Sequence, residues 1–374
     1  MIYLGILIFN WVEEVIKKKS IVFPVLSLLY LAWLGGAPNP VTISVLDYHN
    51  YEENYNAMFS STYNSRFEWG YLSLAKVAYN SGLTYAQFRL ILCFIIFIVL
   101  LIAVRRFTNN LAFFVGIFAI FPFFNEIDQI RSFAMYTLIL LAASFLIKVN
   151  KKNIIISTLI IFLATGFHSS GYFYLVFIGI RLLMHKNIKI NSMIIIISIV
   201  NSIILFLTGS TSAGQKIAQI IGSLTGNASA NENILTNFVG GEGSFTKKLM
   251  MILSYALITV LAKKMAVYIV SLIENNNNNN ITGKVNSLMS LIYSGMLSLP
   301  LLFMSFQYQR FPRFGLETVI ILTALYFEHK IKIVDRFIGM LVTLVFVLFL
   351  SFIFYGIPNS QIAQSIPFLV HLKF

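Results

Sequence analysis

The chain has 374 residues, of which 58% are hydrophobic and 11% charged, and its mean hydropathy is +0.81. A soluble domain carries about 25% charged residues, so this composition excludes one large soluble core. The net charge of +13 would suggest nucleic acid in a soluble protein; here the basic residues gather between apolar stretches, as topology signals do, and no nucleic-acid partner is expected.

The apolar runs are continuous, as in 91–104 and 340–354. Helices satisfy their own backbone in lipid, whereas a membrane β-barrel would show alternating segments of about ten residues. The spacing predicts an all-α, polytopic membrane protein of about twelve spans, read as a single transmembrane domain over 1–374. The spans are 1–15, 20–36, 86–104, 110–124, 130–147, 153–168, 170–184, 192–208, 248–272, 285–305, 314–328 and 336–356. The first lacks a basic segment before it and carries Glu13 and Glu14, so it reads as a membrane helix and not as a cleaved signal. Pro122 and Asn125 separate 110–124 from 130–147, a pair that reads as a tight hairpin or a partly re-entrant element. The single cysteine, Cys93, lies in an apolar run and excludes an internal disulfide.

Basic clusters fall at every second junction. They are Lys17 to Lys19, Arg105 with Arg106, Lys148 with Lys151 and Lys152, Lys186 with Lys189, Lys263 and Lys264 with Lys284, and Lys330 with Lys332. The positive-inside rule makes these junctions cytoplasmic and leaves both termini outside. Two long external loops follow, 37–85 and 209–246. The first is rich in Tyr and acids and predicts an ordered, half-helical cap. The second is rich in Gly, Ser, Ala and Asn, with a short amphipathic helix expected over 217–224. The Asn275 to Asn280 run reads as a solvated linker.

Arg131, Arg310 and Arg313 lie at the opposite ends of the spans, in turns that this topology places outside. Arginine there opposes the charge rule. Its planar, permanently charged fork suits phosphate oxygens, and two such turns facing each other would clamp a pyrophosphate. The plainer reading is that the arginines anchor span ends or pair with acids. Arg131 has Glu126 and Asp128 nearby, while the turn of Arg310 and Arg313 holds none. Glu317, four residues after Arg313, is placed to orient it across one helical turn. Arg66 and Arg89 read as structural, Arg66 paired with Glu68 and Arg89 snorkelling outward.

Other external residues carry chemistry. His168, at the tip of a helical hairpin, can serve as general base or phosphate ligand; as a turn residue it would merely bond a backbone group. Asp47 and Glu68 are carboxylates flanked by aromatics, each able to take a proton from a sugar hydroxyl. Tyr48, Tyr51 and Tyr55 share one helix face; packing is the plain reading and sugar stacking the sharper one. No nucleotide fingerprint, zinc motif or external Asp-x-Asp stretch occurs. A donor substrate would therefore arrive already activated and lipid-linked.

Asp47-Tyr48-His49-Asn50-Tyr51 followed by Glu68-Trp69-Gly70-Tyr71 resembles the first external loop of EpsG-like, Wzy-type polysaccharide polymerases. Gln129-Ile130-Arg131-Ser132 is similar to that family's Ile-Arg-Gln turn, with Ser132 in place of Gln. Gly166-Phe167-His168-Ser169-Ser170 and Arg310-Phe311-Pro312-Arg313-Phe314 look like its later motifs, in the same order. The resemblance implies a GT-C-like bundle in the bacterial inner membrane: a metal-independent glycosyltransferase, without cofactor, that polymerises O-antigen or capsule repeat units on the periplasmic face. It implies a growing glycan passed from undecaprenyl pyrophosphate to the next lipid-linked unit, with a chain-length regulator and a flippase as partners. By the same resemblance Arg131, Arg310 and Arg313 would bind pyrophosphate. His168, Asp47 or Glu68 would activate the acceptor, and Tyr48, Tyr51, Trp69, Tyr71 and Gln129 would contact glycan. The alternatives are a lipid-linked oligosaccharide flippase, which needs a charged central cavity, and an O-antigen ligase, which uses external arginines on a different acceptor.

Overall fold

A computed structural model of the chain describes residues 2–16, 20–39, 46–58, 67–186, parts of 193–201, 245–272, 279–303, 306–329 and 333–355. The regular elements among these residues are all helical. The α-helices are α1 (Ile2–Ile16), α2 (Val22–Gly36), α3 (Leu46–Ala57), α4 (Trp69–Asn80), α5 (Tyr85–Phe107), α6 (Leu111–Phe118) and α7 (Phe123–Asp128). They continue as α8 (Ile130–Phe145), α9 (Lys151–Thr165), α10 (Leu175–His185), α11 (Phe245–Ser271), α12 (Asn279–Ser298), α13 (Arg310–His329) and α14 (Ile333–Tyr355). Short 3-10 turns cover Ser169–Tyr174, Leu299–Phe303 and Phe306–Gln309. Three of the helices among the described residues are long and apolar enough to cross a membrane unaided, over Tyr85–Phe107, Lys248–Ser271 and Asn280–Phe303. Shorter apolar helices accompany them, and the chain is an all-α, multi-pass membrane protein. The expected span 192–208 and the loop 209–246 lie largely or wholly outside the described residues.

Local signals explain the clearest elements. α5 opens on a capping box, in which Gln87 N–H donates to Thr84 Oγ1 at 3.3 Å and Thr84 N–H donates to Gln87 Oε1 at 2.9 Å. Arg105 and Arg106 close it, where cations oppose the negative helix end. Gly82, at φ 76°, makes the left-handed turn that reverses α4 into α5. The expected span 110–124 is instead broken. α6 stops at Phe118, and Pro122, which has no N–H to donate, precedes the short α7. The break is buried from Ile117 to Ile127, so its irregular backbone is covered by protein, which favours the re-entrant reading.

The chain folds as two compact units. The first comprises Met1–Ser144, Leu159–Gly171 and Ile320–Phe374. Within it α2 packs along α5, α1 along α6, and α3 lies against α5 and α7. The expected cap appears as α3 and α4, and the tyrosine stripe is its packed face. Tyr48, Tyr51, Tyr55 and Tyr71 are buried among Phe67, Tyr85 and Phe88.

Polar contacts tie the helix ends of this unit together. At the end marked by basic clusters, Arg336 of α14 is paired with Glu14 of α1. Near it in sequence terms, Glu328 accepts from Thr108 Oγ1 at 2.9 Å and from Asn109 N–H at 3.0 Å. At the other end Arg89 does not snorkel. It is 1% exposed, with Nε donating to Gly35 O at 3.1 Å, Nη2 to Ile127 O at 2.5 Å and Nη1 to Tyr85 Oη at 3.3 Å. Gly35 and Ile127 belong to the last turns of α2 and α7, whose carbonyls lack helical partners. A buried guanidinium satisfies both helix ends at once.

The second unit comprises Phe145–Thr158 and Tyr172–Val319. In it α10 and α11 each pack on α12. Arg181 Nε donates to Leu146 O at 3.0 Å, again a buried arginine on carbonyls just past a helix end. Tyr255 donates to Ile292 O at 2.9 Å, and its hydroxyl fills the space that a Cβ would need at Gly295 and Gly315.

The Glu14–Arg336 pair yields a direct test. Replacing either residue alone by Leu strands a buried charge and should cost about 3–5 kcal/mol, whereas the double replacement should recover most of that loss. Thermal unfolding of the detergent-solubilised protein measures both; a double variant no more stable than the singles would refute the pairing.

Candidate functional site

The first unit gathers several of the expected residues around Glu68. This residue precedes α4, with extended backbone at φ −73° and ψ 154°. Its carboxylate is paired with the Arg131 guanidinium through Oε2. Through Oε1 it accepts the Ser169 N–H at 2.8 Å. Ser169 opens the 3-10 turn after His168, so one carboxylate joins three segments: the start of α4, the start of α8 and the tip of the α9 hairpin.

Arg131 is held from several sides. Its Nε donates to Tyr51 Oη at 3.4 Å, and its guanidinium carbon lies 4.2 Å from the Phe67 ring centroid and 5.5 Å from that of Tyr51. The planar cation thus rests between aromatic rings, an arrangement lysine does not reproduce. The ion pair formed by Arg131 is with Glu68, 63 residues away, and not with the local acids Glu126 or Asp128. Burial raises the Tyr51 phenol above its ordinary range while Arg131 lowers it, and burial holds Tyr71 well above that range. Both phenols are neutral at physiological pH, so Tyr51 accepts the Arg131 proton as a dipole and not as a competing anion.

Two glycines allow this convergence. Tyr71 N–H donates to Gly166 O at 2.9 Å, so the backbone of α4 touches the hairpin directly. A Cβ on Gly70 would come within 2.8 Å of Gly166 O, and one on Gly166 within 2.8 Å of the Trp69 indole. Trp69 lies over Gly166 and remains 50% exposed. Burial removes Tyr48, Tyr51 and Tyr71 from the rings on which a sugar could stack and leaves Trp69 as the open one.

His168 has a defined ring orientation. Ser170 N–H donates to its Nδ1 at 3.2 Å, and Ser170 Oγ lies 2.8 Å from the same atom and 3.3 Å from Met135 Sδ. Met135 stands one turn after Arg131 on α8, which ties the hairpin to the same helix. Asp47 sits in the first turn of α3, one turn before Tyr51, and is half-buried. Gln129 caps α7, its N–H donating to Asn125 O at 3.1 Å, and its own carbonyl starts α8 by accepting from Phe133 N–H at 3.0 Å. His49 is exposed, within 4.0 Å of Glu52, as a surface residue. Arg66 lies outside the described residues.

In the second unit the expected turn around Arg310 and Arg313 is more helical than the sequence suggests. A 3-10 turn over Phe306–Gln309 runs into α13, which begins at Arg310. Pro312 is tolerated in that first turn, where no helical donor is needed. Arg313 is 0% exposed and Glu317, one turn on, 1%. Phe311 packs on Phe173 and Tyr174 and anchors the turn. The arginines therefore stand at the positive end of a helix dipole, where cations are disfavoured and an anion is favoured.

Sequence reading missed one contributor to this cluster and misread how the structural Arg89 is held. The Ser169 N–H carries no side-chain signal. Arg89 did carry one: a charge inside a span must find a buried partner, and that rule outweighs snorkelling.

The bridging role of Glu68 predicts a graded loss. Glu68→Gln keeps an acceptor for Ser169 N–H but loses the charge facing Arg131, and Glu68→Ala loses both. Thermal unfolding should rank wild type above Gln above Ala, each step costing about 1–3 kcal/mol; equal stabilities would show that the bridge contributes nothing.

No curated protein and no solved structure matches the chain. A family model does, over residues 7–369. The chain belongs to the EpsG family, a family of Wzy-type polysaccharide polymerase-like proteins.

Proposed function

We propose that this protein is a repeat-unit polymerase for O-antigen or capsular polysaccharide. It transfers a growing glycan from undecaprenyl pyrophosphate onto the next lipid-linked repeat unit, at the periplasmic face of the bacterial inner membrane, within a bundle of about twelve spans. One observation carries the reading beyond family membership. Arg131, Glu68 and the His168 turn form one cluster, in which a guanidinium, a carboxylate and an imidazole lie on joined segments.

Breaking a bond from sugar to pyrophosphate leaves negative charge on the departing phosphate. Fixed guanidinium groups stabilise that charge without reorganising at the moment of reaction. In this reading Arg131 holds one lipid pyrophosphate, with Gln129 beside it, and Arg310 and Arg313 hold the other. Their position in the first turns of α8 and α13 supports it, because helix N-termini add their own positive potential. Glu68 positions Arg131; both of its oxygens are engaged, which argues against its service as the base. The exposed Trp69 indole offers the acceptor or donor sugar a stacking face.

A deletion strain complemented with variants tests the proposal on a polysaccharide ladder gel. Deletion should leave single repeat units on the surface; a flippase defect leaves none, and a ligase defect leaves polymer unattached. Arg131→Ala, Arg310→Ala, Arg313→Ala and His168→Ala should each abolish or shorten long chains. Long chains retained in all four at normal protein levels would sink the assignment.

Trp69 makes a separate prediction. Trp69→Ala should raise the KM for lipid-linked units with little change in kcat, and Trp69→Phe should keep most of the affinity. Unchanged KM in the Ala variant would exclude sugar stacking at that ring.

A further inference from the structure

We infer that Arg89 is a positioning residue for Arg131: it fixes the end of α7 and the face of α3 that together aim the Arg131 guanidinium. This rests on the polymerase reading above for the ligand that Arg131 holds. Arg89 is 1% exposed, and its partners are main-chain carbonyls, a phenol and a ring, so it acts on the reaction only through another group.

What Arg89 fixes is the spacing of helix ends. Its Nε and Nη2 donate to Gly35 O and Ile127 O, and its Nη1 to Tyr85 Oη. The donors of a guanidinium lie in one plane at set angles. The ends of α2 and α7 are therefore held at a set separation beside the start of α5. α7 spans only Phe123–Asp128, and Gln129 alone separates it from α8. The join has little slack, because Gln129 N–H donates to Asn125 O at 3.1 Å and Gln129 O accepts from Phe133 N–H at 3.0 Å. Arg131 is the second residue of α8. A shift of the Ile127 carbonyl is thus passed to the first turn of α8.

α3 gives a second connection. Tyr48 and Tyr51 lie one turn apart on its buried face. The Arg89 guanidinium carbon is 5.1 Å from the Tyr48 ring centroid, and that of Arg131 is 5.5 Å from the Tyr51 centroid. Arg131 Nε also donates to the Tyr51 hydroxyl at 3.4 Å. Farther along the same face the Tyr55 hydroxyl donates to Leu83 O at 2.8 Å, which ties α3 to the turn before α5. One helix face spaces the two guanidinium groups. The packing tolerates little movement. A Cβ on Gly35 would meet Ile127 Cγ2 at 2.5 Å and Ile127 Cβ at 3.2 Å, atoms so close to the main chain that the end of α7 would have to give. Misplacing a binding group by about 1 Å can cost about a hundredfold in rate.

A double-mutant cycle tests this on the purified protein, with lipid-linked repeat units extracted from the deletion strain. Arg89→Lys keeps the charge and loses the planar fork. It should lower kcat/KM by about tenfold or more in the wild-type background, and by less than about twofold in the Arg131→Lys background, where no guanidinium is left to aim. The same loss in both backgrounds would mean that Arg89 only stabilises the fold, and no loss in either that it has no part in the reaction; each overturns the inference. Gly35→Ala leaves every charged group in place and should reproduce the Arg89→Lys pattern; full activity in this variant also overturns it. Thermal unfolding gives a readout that needs no substrate. Glu68→Gln should lower Tm less than half as far in the Arg89→Lys and Gly35→Ala proteins as in wild type, because Arg131 is no longer set against Glu68; equal losses refute the positioning. A Tm coupling that holds while the deletion strain still makes long chains would defeat the polymerase reading and leave the positioning intact.

Discussion

The carboxylate of Glu68 is the contact on which the first unit's candidate site depends. A half-buried guanidinium such as Arg131 needs a counter-charge, because its own helix supplies only the positive end of a dipole. Glu68 supplies that charge and uses its second oxygen on the Ser169 N–H. The start of α4, the start of α8 and the hairpin that carries His168 are therefore set relative to one another by a single side chain. Gly70 and Gly166 let the backbones approach closely enough for this, and Phe67 and Tyr51 fix the plane of the guanidinium.

Arg89 and Arg181 differ from Arg131, Arg310 and Arg313 in the helix end at which they stand. Arg89 and Arg181 donate to carbonyls at or just past helix C-termini, where orphan acceptors and the negative dipole end welcome a cation. They are structural by that geometry. Arg131, Arg310 and Arg313 stand in first turns of helices, where the dipole works against them. Of the cations near helix starts, Arg131 is offset by Glu68 and Arg336 by Glu14.

Much of the architecture was legible in the chain. Hydropathy placed most helices to within a few residues. The tyrosine spacing marked one face of α3. The errors came where a local rule competed with a distant partner. Arg89 turned inward because two helix ends and Tyr85 met it there, and Arg131 passed over nearby acids for one 63 residues away.

The sequence by itself determined the helical membrane class, because hydropathy acts over short stretches of chain. Only the tertiary structure decided how the chemistry-bearing residues are used. Glu68 became a bridge through its contacts with α8 and the hairpin. Tyr48, Tyr51 and Tyr71 became packing, while Trp69 stayed open. His168 acquired a fixed ring position, with Ser170 N–H and Oγ beside its Nδ1. Such roles depend on which group fills each lone pair, and that is a property of folded geometry that residue order does not carry.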